Sequence, residues 1–409
     1  MANSSAQFDT KDSIHKIEPE LLRKLNPDGY PFFNPAFLAA LEDNGCIGGD
    51  SGWHPLYLVR RDRKAILPCF LKEHSYGEYV FDWSWADAYQ RYGLDYYPKL
   101  LWAAPFTPAT GPRLLMADTP TQTDWQGALD AITQLAQTHN LSGWHGNFLR
   151  TDECDLATSS RQSNEEKTAQ LPQQSEMGGL ETETLTDNKV SRRIGCQFHW
   201  FNRQYRDFEH YLEYFTSRKR KSIRKERRKL TDAGIRLERF SGDDISEEDL
   251  SFFYQCYQLT YRKRRSSGYL NLAFFQQLKH QLSQNMLLVI ARYNDVPLAA
   301  ALYFFDQTTL YGRYWGCMEE LDGLHFEACY YQGIEFCIAQ GLQRFDPGTQ
   351  GEHKISRGFE PVLTHSLHWL AHPQFNRAVA DFVRQERQQV LQYQQQAAEM
   401  LPFREQAFE

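Results

Sequence analysis

The chain has few features of membrane or exported proteins. None of its apolar runs approaches the ~18 residues of a membrane-spanning helix, and its first ten residues are polar, without an apolar signal segment. A length of 409 residues with 41% hydrophobic residues is typical of a folded protein of two or three domains. We therefore expect a cytoplasmic protein with no membrane span.

Nucleotide-binding and hydrolase signatures are missing as well. The chain contains neither a Walker A sequence nor Gly-x-Gly-x-x-Gly, which argues against kinase, ATPase and dinucleotide-dependent functions. His74 is followed by Ser75, but no Gly-x-Ser-x-Gly turn accompanies the pair. The sequence therefore gives little support to a serine hydrolase.

Metal and disulfide signatures are also missing. The eight cysteines are scattered without a Cys-x-x-Cys pair, and no His-Glu-x-x-His occurs. His325-Phe-Glu327 has the His-x-Glu spacing of a zinc deaminase, but the chain has no Pro-Cys-x-x-Cys partner for it. We predict reduced, mostly buried thiols, no metal site and no covalently bound cofactor.

Negative charge is concentrated in one segment. Residues 151–191 contain nine acidic and three basic side chains, or −6 of the net charge of −7. The segment is poor in aromatic and β-branched residues, so it buries too little surface to order itself. We interpret it as an acidic, flexible insert between an N-terminal domain (1–150) and a C-terminal domain (192–409).

The two domains repeat one pattern of elements. Each has two apolar runs around a short polar turn, which predicts a β-hairpin, followed by an aromatic strand, a helix and another strand. The repetition favours a duplication with mixed sheets, an α/β (α+β) fold. The predicted segments are 56–60, 65–71, 79–85, 96–103 and 144–149 in the first domain, and 287–292, 296–305, 310–317, 325–340 and 343–346 in the second.

Other elements of the second domain are predicted from local signals. Ser246-Glu-Glu-Asp249 is typical of a helix start, and that helix should run toward residue 264. Asn271 is a suitable cap for a helix to about residue 284, and residues 217–232 and 374–400 have helical propensity. Residues 196–201 should form a strand.

A glycine-punctuated loop at 341–361 is the strongest candidate for a reaction centre. Glu352 or His353 is suited to take a proton from an attacking amine, while Lys354 and Arg357 can hold anionic groups. The alternative is a solvated turn between two strands. We predict Glu352, His353 and Lys354 as catalytic and Arg357 as substrate-binding.

Two segments of the first domain are candidates for substrate binding. Residues 74–87 combine a histidine, carboxylates and aromatic rings, which suits a polar amine, although an aromatic core is the alternative. The loop 104–115 is stiff and proline-rich, and Arg113 near its end can hold an anion. The alternative is that this loop is an ordinary connection between two elements. The predicted substrate-binding residues here are His74, Glu78, Asp82, Trp83 and Arg113.

Positive charge is concentrated on one predicted helix. Residues 218–229 carry nine cations and one carboxylate, and Arg262-Lys-Arg-Arg265 adds four more cations. Such a face can bind the phosphates of RNA or of a nucleotide-bearing donor, although most charge runs are solvated helix faces. The predicted donor- or phosphate-binding residues are Arg218, Lys219, Arg220, Lys221 and Arg224.

Several of these stretches together resemble a known family. They are residues 74–89, 97–108, 197–200, the basic run from 217, and Gln350-Gly-Glu-His-Lys-x-x-Arg-Gly-Phe-Glu-Pro361. In these stretches the chain resembles the FemAB-like predicted N-acyltransferases of bacteria, a branch of the GNAT superfamily. The resemblance covers nearly all of the chain except the acidic insert.

The resemblance implies two tandem GNAT-like domains and direct attack of an amine on an activated acyl group. It further implies that a splayed strand pair holds the donor, here 310–317 and 343–346. The pyrophosphate loop of acyl-CoA users is missing from Cys317-Met-Glu-Glu-Leu-Asp-Gly-Leu324. That departure favours aminoacyl-tRNA, the donor of FemAB-type enzymes, over acyl-CoA.

We therefore predict an N-acyltransferase acting on a small amine-bearing acceptor, such as one resembling a peptidoglycan precursor, with tRNA as a candidate partner and no DNA. One alternative is a protein with an acyltransferase fold that binds RNA or a cell-wall precursor without catalysis. Another is an acyl-CoA-dependent N-acetyltransferase whose basic segments replace the missing loop.

Overall fold

The computed structural model describes residues 8–158, 190–349 and 351–404. Their strands form one twelve-stranded mixed sheet in the order β1-β2-β3-β4-β5-β12-β6-β11-β10-β9-β8-β7. The strands are β1 (Phe8–Lys11), β2 (Trp53–Arg60), β3 (Ile66–Lys72), β4 (Lys99–Trp102), β5 (Gly143–Leu149), β6 (Ser191–Phe201), β7 (Ile235–Ser241), β8 (Met286–Tyr293), β9 (Val296–Phe305), β10 (Thr309–Cys317), β11 (Arg344–Asp346) and β12 (Glu360–Leu370).

Helices cover both faces of this sheet. They are α1 (Pro19–Lys24), α2 (Pro35–Asp43), α3 (Trp83–Arg91), α4 (Gln122–Thr138), α5 (151–158), α6 (Phe208–Glu213), α7 (Ser217–Asp232), α8 (Glu247–Lys263), α9 (Leu272–Leu282), α10 (Leu324–Phe326), α11 (Gln332–Gln340) and α12 (Pro373–Glu399). A π-helical turn (Glu327–Tyr331) joins α10 to α11. Among the described residues, no helix is both long and apolar enough to cross a bilayer.

The two halves of the sheet have equivalent strand orders. From one edge inward the strands are β1-β2-β3-β4-β5, and from the other edge inward they are β7-β8-β9-β10-β11. In each half an antiparallel hairpin leads to a further strand that pairs in parallel with the next one: β4 with β5, and β10 with β11. At the centre, β12 pairs antiparallel with both β5 and β6. The last of the described strands, β12, therefore joins the sheets of the two halves.

Successive side chains of β8 pack alternately into two cores, one on each face of the sheet in the C-terminal half. Leu288 and Ile290 pack with α8 and α9 on one face, whereas Leu287 and Val289 pack with α6, α11 and Ile223 of α7 on the other. Strand side chains alternate between faces. The helices α7 and α8 consequently lie on opposite faces of the sheet.

Most predicted elements of the second half are confirmed. The hairpin forms as β8 and β9, and the aromatic strand as β10. Ser246 caps α8 by accepting a hydrogen bond from Asp249 N at 3.0 Å, and Asn271 caps α9 by accepting from Phe274 N at 2.9 Å. In the first half the hairpin and the strand at 144–149 are also confirmed.

Two predictions in the first half are wrong. Residues 79–85 do not form a strand: Tyr79 has a φ of 60°, and α3 starts at Trp83 because Trp85 and Tyr89 bury one helical face. Residues 96–103 do not form a helix but contain β4, whose four residues are all buried. Periodicity alone cannot separate so short a buried run from a helix. The helix between β4 and β5 is α4, at a later position in the chain.

The predicted acidic insert is only partly described. Residues 151–158 form α5, with Cys154 and Ala157 buried. Residues 159–189, to which the prediction of flexibility mainly applies, lie outside the described residues. The predicted domain boundaries stay predictions.

Candidate active site

The parallel strands β10 and β11 separate after three residue pairs. Thr309, Leu310 and Tyr311 pair with Arg344, Phe345 and Asp346. β10 then continues to Cys317, whereas β11 ends at Asp346. A cavity of about 300 Å³ occupies the gap that opens between them. The chain therefore has the splayed strand pair that the resemblance implies.

Two glycines let backbone segments approach closely around the gap. A Cβ on Gly312 of β10 would lie 3.2 Å from the Cα of Pro347, which follows β11. Gly351 has a φ of 104°, and a Cβ there would contact the His353 ring. A side chain at Gly312 would crowd the backbone of Pro347, and the positive φ of Gly351 favours glycine, so the turn after β11 lies close to β10.

Lys354 is the most deeply buried cation of this turn. It lies in the 3-10 helical turn Glu352–Arg357, is 1% exposed and lines the cavity. Its Nζ donates a hydrogen bond to Gly348 O at 2.6 Å. Burial lowers the pKa of Lys354 to about 8, although nearby Asp346 works in the opposite direction. The ammonium is therefore mostly protonated at neutral pH.

His353 lies beside Lys354 at the cavity wall. Its Nε2 is 2.8 Å from the hydroxyl of Tyr330, which comes from the π-helical turn. Partial burial, with the charges of Lys354 and Arg357, lowers the pKa of His353 below its ordinary value. Its imidazole is consequently neutral at neutral pH and can accept a proton.

His325 is a third titratable group at the cavity. Burial, with the charges of His353 and Arg357, lowers its pKa to about 4. Its ring centroid lies 5.9 Å from that of His353. In the sequence, the His-x-Glu spacing indicates His325 only as a metal ligand.

Glu352 and Arg357 do not line the cavity. Glu352 is exposed, and its Oε1 accepts a hydrogen bond from Tyr393 of α12 at 2.9 Å. Arg357 pairs with Glu226 of α7 at 2.7 Å and stacks 3.4 Å above the Phe326 ring. The structure thus brings His353 and Lys354 together at the cavity and places Glu352 and Arg357 around them.

Aromatic and arginine side chains form much of the remaining wall. Arg313 lies at a register shift between β10 and β9, where one extra residue is inserted. Arg264, which follows α8, lines the same cavity, and so do several tyrosines. Sequence reasoning did not assign these residues a role at the loop, because their convergence depends on strand register and helix packing. The tyrosines are Tyr79, Tyr257, Tyr261, Tyr303, Tyr314 and Tyr330.

Tyr79 belongs to the N-terminal half, within the segment predicted to bind substrate. Buried Lys99 anchors that segment, because its Nζ donates hydrogen bonds to Glu78 Oε2 at 2.9 Å and to Asp82. Lys99, Glu78 and Asp82 are all nearly completely buried. The two carboxylates therefore fix the loop that presents Tyr79 to the cavity, and neither lines the cavity itself.

Glu78 and Asp82 share the cation of Lys99, but their pKa values are shifted in opposite directions. Burial raises the pKa of Glu78 to about 6 despite the charge of Lys99. Burial also acts to raise the pKa of Asp82, but Lys99, His145 and a hydrogen bond from Tyr96 outweigh it and lower the value to about 2. At neutral pH both carboxylates are largely ionised.

The other predicted residues of the first half lie elsewhere. His74 Nε2 is 3.0 Å from Ser51 O, and Trp83 is a partly exposed residue of α3. Arg113 is fully buried and donates to the carbonyls of Asn147, Pro112 and Ala109 at 2.7–3.1 Å. Its guanidinium is thus bound to carbonyls of its own loop and of β5 rather than open to an anionic ligand.

The predicted phosphate-binding residues lie along α7. Arg218, Lys219, Lys221 and Arg224 are exposed, and Arg220 is partly buried. Arg224 pairs with Glu209. None of these residues lines the cavity, so the helix offers a basic surface on the sheet face that also carries His353 and Lys354.

Comparison with known families identifies one match over most of the chain. The model of the FemAB-like family, described as peptidoglycan biosynthesis/recognition, matches residues 13–405. No curated protein sequence matches the chain.

Solved structures of similar fold include proteins of several kinds. A conserved protein of unknown function from Bacteroides thetaiotaomicron has a TM-score of 0.50 and 10% identity, over 89% of this chain and 99% of its own. FemX has a TM-score of 0.49 and 12% identity, over 91% of this chain and 100% of its own. L-PGS from Bacillus licheniformis has a TM-score of 0.47 and 10% identity, over 85% and 96%. Within the described residues, the strand order is that of two halves with equivalent arrangements of strands.

Proposed function

Because the chain belongs to the FemAB-like family of peptidoglycan biosynthesis/recognition proteins, we propose that it is an N-acyltransferase. It moves an activated acyl or aminoacyl group onto an amine. Family membership supports the class of reaction. The observation that supports the position of the site is the gap between β10 and β11, with Lys354 and His353 at its wall.

The two side chains have complementary roles in this proposal. A neutral amine attacks the acyl carbonyl, a C–N bond forms, and the carbonyl oxygen gains negative charge. The Lys354 ammonium stabilises that oxyanion, and the His353 imidazole accepts the proton that the amine loses. When the C–O bond of an ester or the C–S bond of a thioester breaks, the proton passes to the leaving group.

The charge around the gap favours an aminoacyl ester on tRNA as donor. The turn between β10 and α10, where acyl-CoA users bind pyrophosphate, carries exposed Glu319, Glu320 and Asp322. Glu320 pairs with Lys263 at 2.6 Å and Asp322 with Lys229 at 2.7 Å, which occupies those two lysines. The basic face of α7 is suited to RNA phosphates. The acceptor is an amine of the kind found in peptidoglycan precursors.

Transfer assays with both donors test the proposal. Purified protein is mixed with a labelled aminoacyl-tRNA or a labelled acyl-CoA and an amine acceptor, and single-turnover rates are measured. We expect transfer from aminoacyl-tRNA. His353→Gln should lower the rate by about 10²–10⁴-fold because the proton acceptor is lost.

The matched control is His280→Gln, since His280 is exposed on α9 and does not line the cavity. It should leave the rate unchanged. Transfer that is unaffected by His353→Gln would refute the role of His353. Binding of donor and acceptor without transfer from either donor would favour the non-catalytic alternative, and transfer from acyl-CoA alone would favour an N-acetyltransferase.

A further inference from the structure

Positive charge dominates the cavity between β10 and β11. Lys354, Arg313 and Arg264 line it, and no described carboxylate does. The carboxylate of Asp346, at the end of β11, raises the pKa of Lys354, and its Oδ1 accepts a hydrogen bond from Gly348 N at 2.9 Å. Three cations against one carboxylate leave an excess of positive charge in the cavity.

Arg313 has an unused hydrogen-bond donor in this wall. Its Nη2 donates to Phe106 O, but its Nε is buried and has no partner among the described residues. A buried donor without a partner costs free energy. A ligand oxygen that accepts from Nε would remove this cost.

Arg264 has no ion pair among the described residues. It is exposed at the end of α8, yet its side chain lines the same cavity as Arg313. Guanidinium groups bind carboxylates through paired, charge-assisted hydrogen bonds. Two arginines and aromatic rings around one small cavity suit a ligand with an apolar body and an anionic end.

The sheet places Arg264 and the basic helix on opposite faces. Arg264 follows α8, which packs in one core, whereas α7 and the turn that carries Lys354 pack in the other. A donor on the α7 face and an acceptor on the α8 face would therefore meet in the gap. The arginine-lined mouth then faces the acceptor.

We propose that the amine-bearing acceptor carries a carboxylate, which Arg313 and Arg264 bind. This inference depends on the proposed transferase function. The excess positive charge acts in the same direction, because it disfavours a protonated amine and favours the neutral amine that attacks. A neutral amine has no charge that the cavity attracts, so the carboxylate of the acceptor provides the electrostatic attraction to the arginines.

Calorimetric titration without donor tests the inference. The probes are 6-aminohexanoate, hexanoate and hexylamine. We expect the two carboxylates to bind and hexylamine to bind at least about tenfold more weakly, since a charge-assisted hydrogen bond is lost. Arg264→Gln should weaken hexanoate binding by about tenfold, and Arg313→Lys should do so as well.

Arg265→Gln is the control, because Arg265 is an exposed neighbour that does not line the cavity; it should leave hexanoate binding unchanged. Arg264→Gln keeps the test valid if Arg313→Lys disturbs the contact with Phe106. Hexylamine binding as tight as hexanoate binding, or hexanoate binding that neither arginine change weakens, would overturn the inference.

Transfer assays separate the two possible sources of the carboxylate. A lower KM for 6-aminohexanoate than for hexylamine supports an acceptor carboxylate. Equal KM values, together with competition between hexanoate and the donor, would overturn the inference. They would mean that the arginines bind a carboxylate of the transferred acyl group. Since the titrations contain no donor, carboxylate binding without any transfer would count against the transferase proposal and not against the binding site.

Discussion

The two halves share one topology but differ in what lies between their parallel strands. In the C-terminal half the gap beyond Tyr311 and Asp346 is a cavity. In the N-terminal half the corresponding pair is β4 and β5, aligned from Leu100 with Trp144 to Trp102 with Gly146. There, the proline-rich loop that follows β4 occupies the equivalent position.

Contacts of that loop explain why it occupies the position. Gly111 forms a parallel bridge with Leu149 and donates from its N to Phe148 O at 3.2 Å. Trp102 Nε1 donates to Arg113 O at 2.6 Å, and the loop residues are mostly buried. The difference shows that the connection after the strands, rather than the strand order, determines what lies between the two parallel strands.

Buried lysines provide a first way to break this comparison. Lys99→Met should lower the free energy of unfolding by about 3–5 kcal/mol, because Glu78 and Asp82 would remain buried without a cation. Denaturant unfolding at pH 7 measures the loss.

Lys72→Met is the matched control in the same half. Lys72 is fully buried, and burial lowers its pKa to about 6, so it is mostly neutral at pH 7. Its removal leaves no buried charge unpaired, and its hydrogen bonds are long, at 3.4–3.5 Å. A loss as large as that of Lys99→Met would contradict this account of the N-terminal half.

Lys354→Met tests the opposite expectation for the C-terminal half. The rate of acyl transfer should fall by about 10²–10³-fold, because the oxyanion loses its cationic partner. The free energy of unfolding should change by only about 1 kcal/mol, since a single hydrogen bond to Gly348 is lost. Rates and denaturant curves on one preparation test both statements. A large loss of stability with an unchanged rate would mean that Lys354 is structural, as Lys99 is.

The pH dependence of transfer sharpens the same comparison. Lys354 acts when protonated and its pKa is about 8, so kcat/KM should fall above about pH 8, by about tenfold per unit well beyond the pKa. His353 acts when neutral and its pKa is lowered, so the acidic limb should lie below its ordinary value of about 6.5.

Lys354→Arg serves as the control for the alkaline limb. Arginine keeps its proton throughout this range, so the decrease above pH 8 should disappear. A decrease that persists in Lys354→Arg would assign the titration to another group.

A smaller effect is expected from single charge changes on the basic face of α7. Helix α7 precedes β7 in the C-terminal half, and no described element precedes the equivalent β1. If RNA phosphates contact α7, Lys221→Gln should reduce the slope of log K against log salt for tRNA binding by about 0.7–0.9. Arg61→Gln, in the exposed β2–β3 turn, should leave the slope unchanged. Filter binding at several salt concentrations measures both.

Local signals predicted most of the C-terminal half. Capping residues Ser246 and Asn271 act through contacts within three residues, so they are visible in the chain itself. In the N-terminal half, β4 and α3 were misassigned because burial of Trp85 and of the short run 99–102 depends on tertiary packing. Propensity does not contain that information.

The candidate site shows the same limit. His353 and Lys354 could be selected from composition, since a proton acceptor and a cation lie in one glycine-rich turn. Arg313 could not, because its place in the cavity depends on a register shift between two strands. Glu78 and Asp82 have the composition of an amine site, yet Lys99, seventeen residues beyond Asp82, pairs with both of them.

The central position of β12 also has a consequence for synthesis. Its His368 contacts His145 of β5 across 223 residues of chain. Until residues 360–370 leave the ribosome, β5 and β6 each expose an unpaired edge, the kind of surface on which strands of other molecules add. Both halves therefore complete their sheets only after β12 has been translated. A nascent-chain series that pauses before and after this strand should show protease resistance of both halves appearing together, at the later pause.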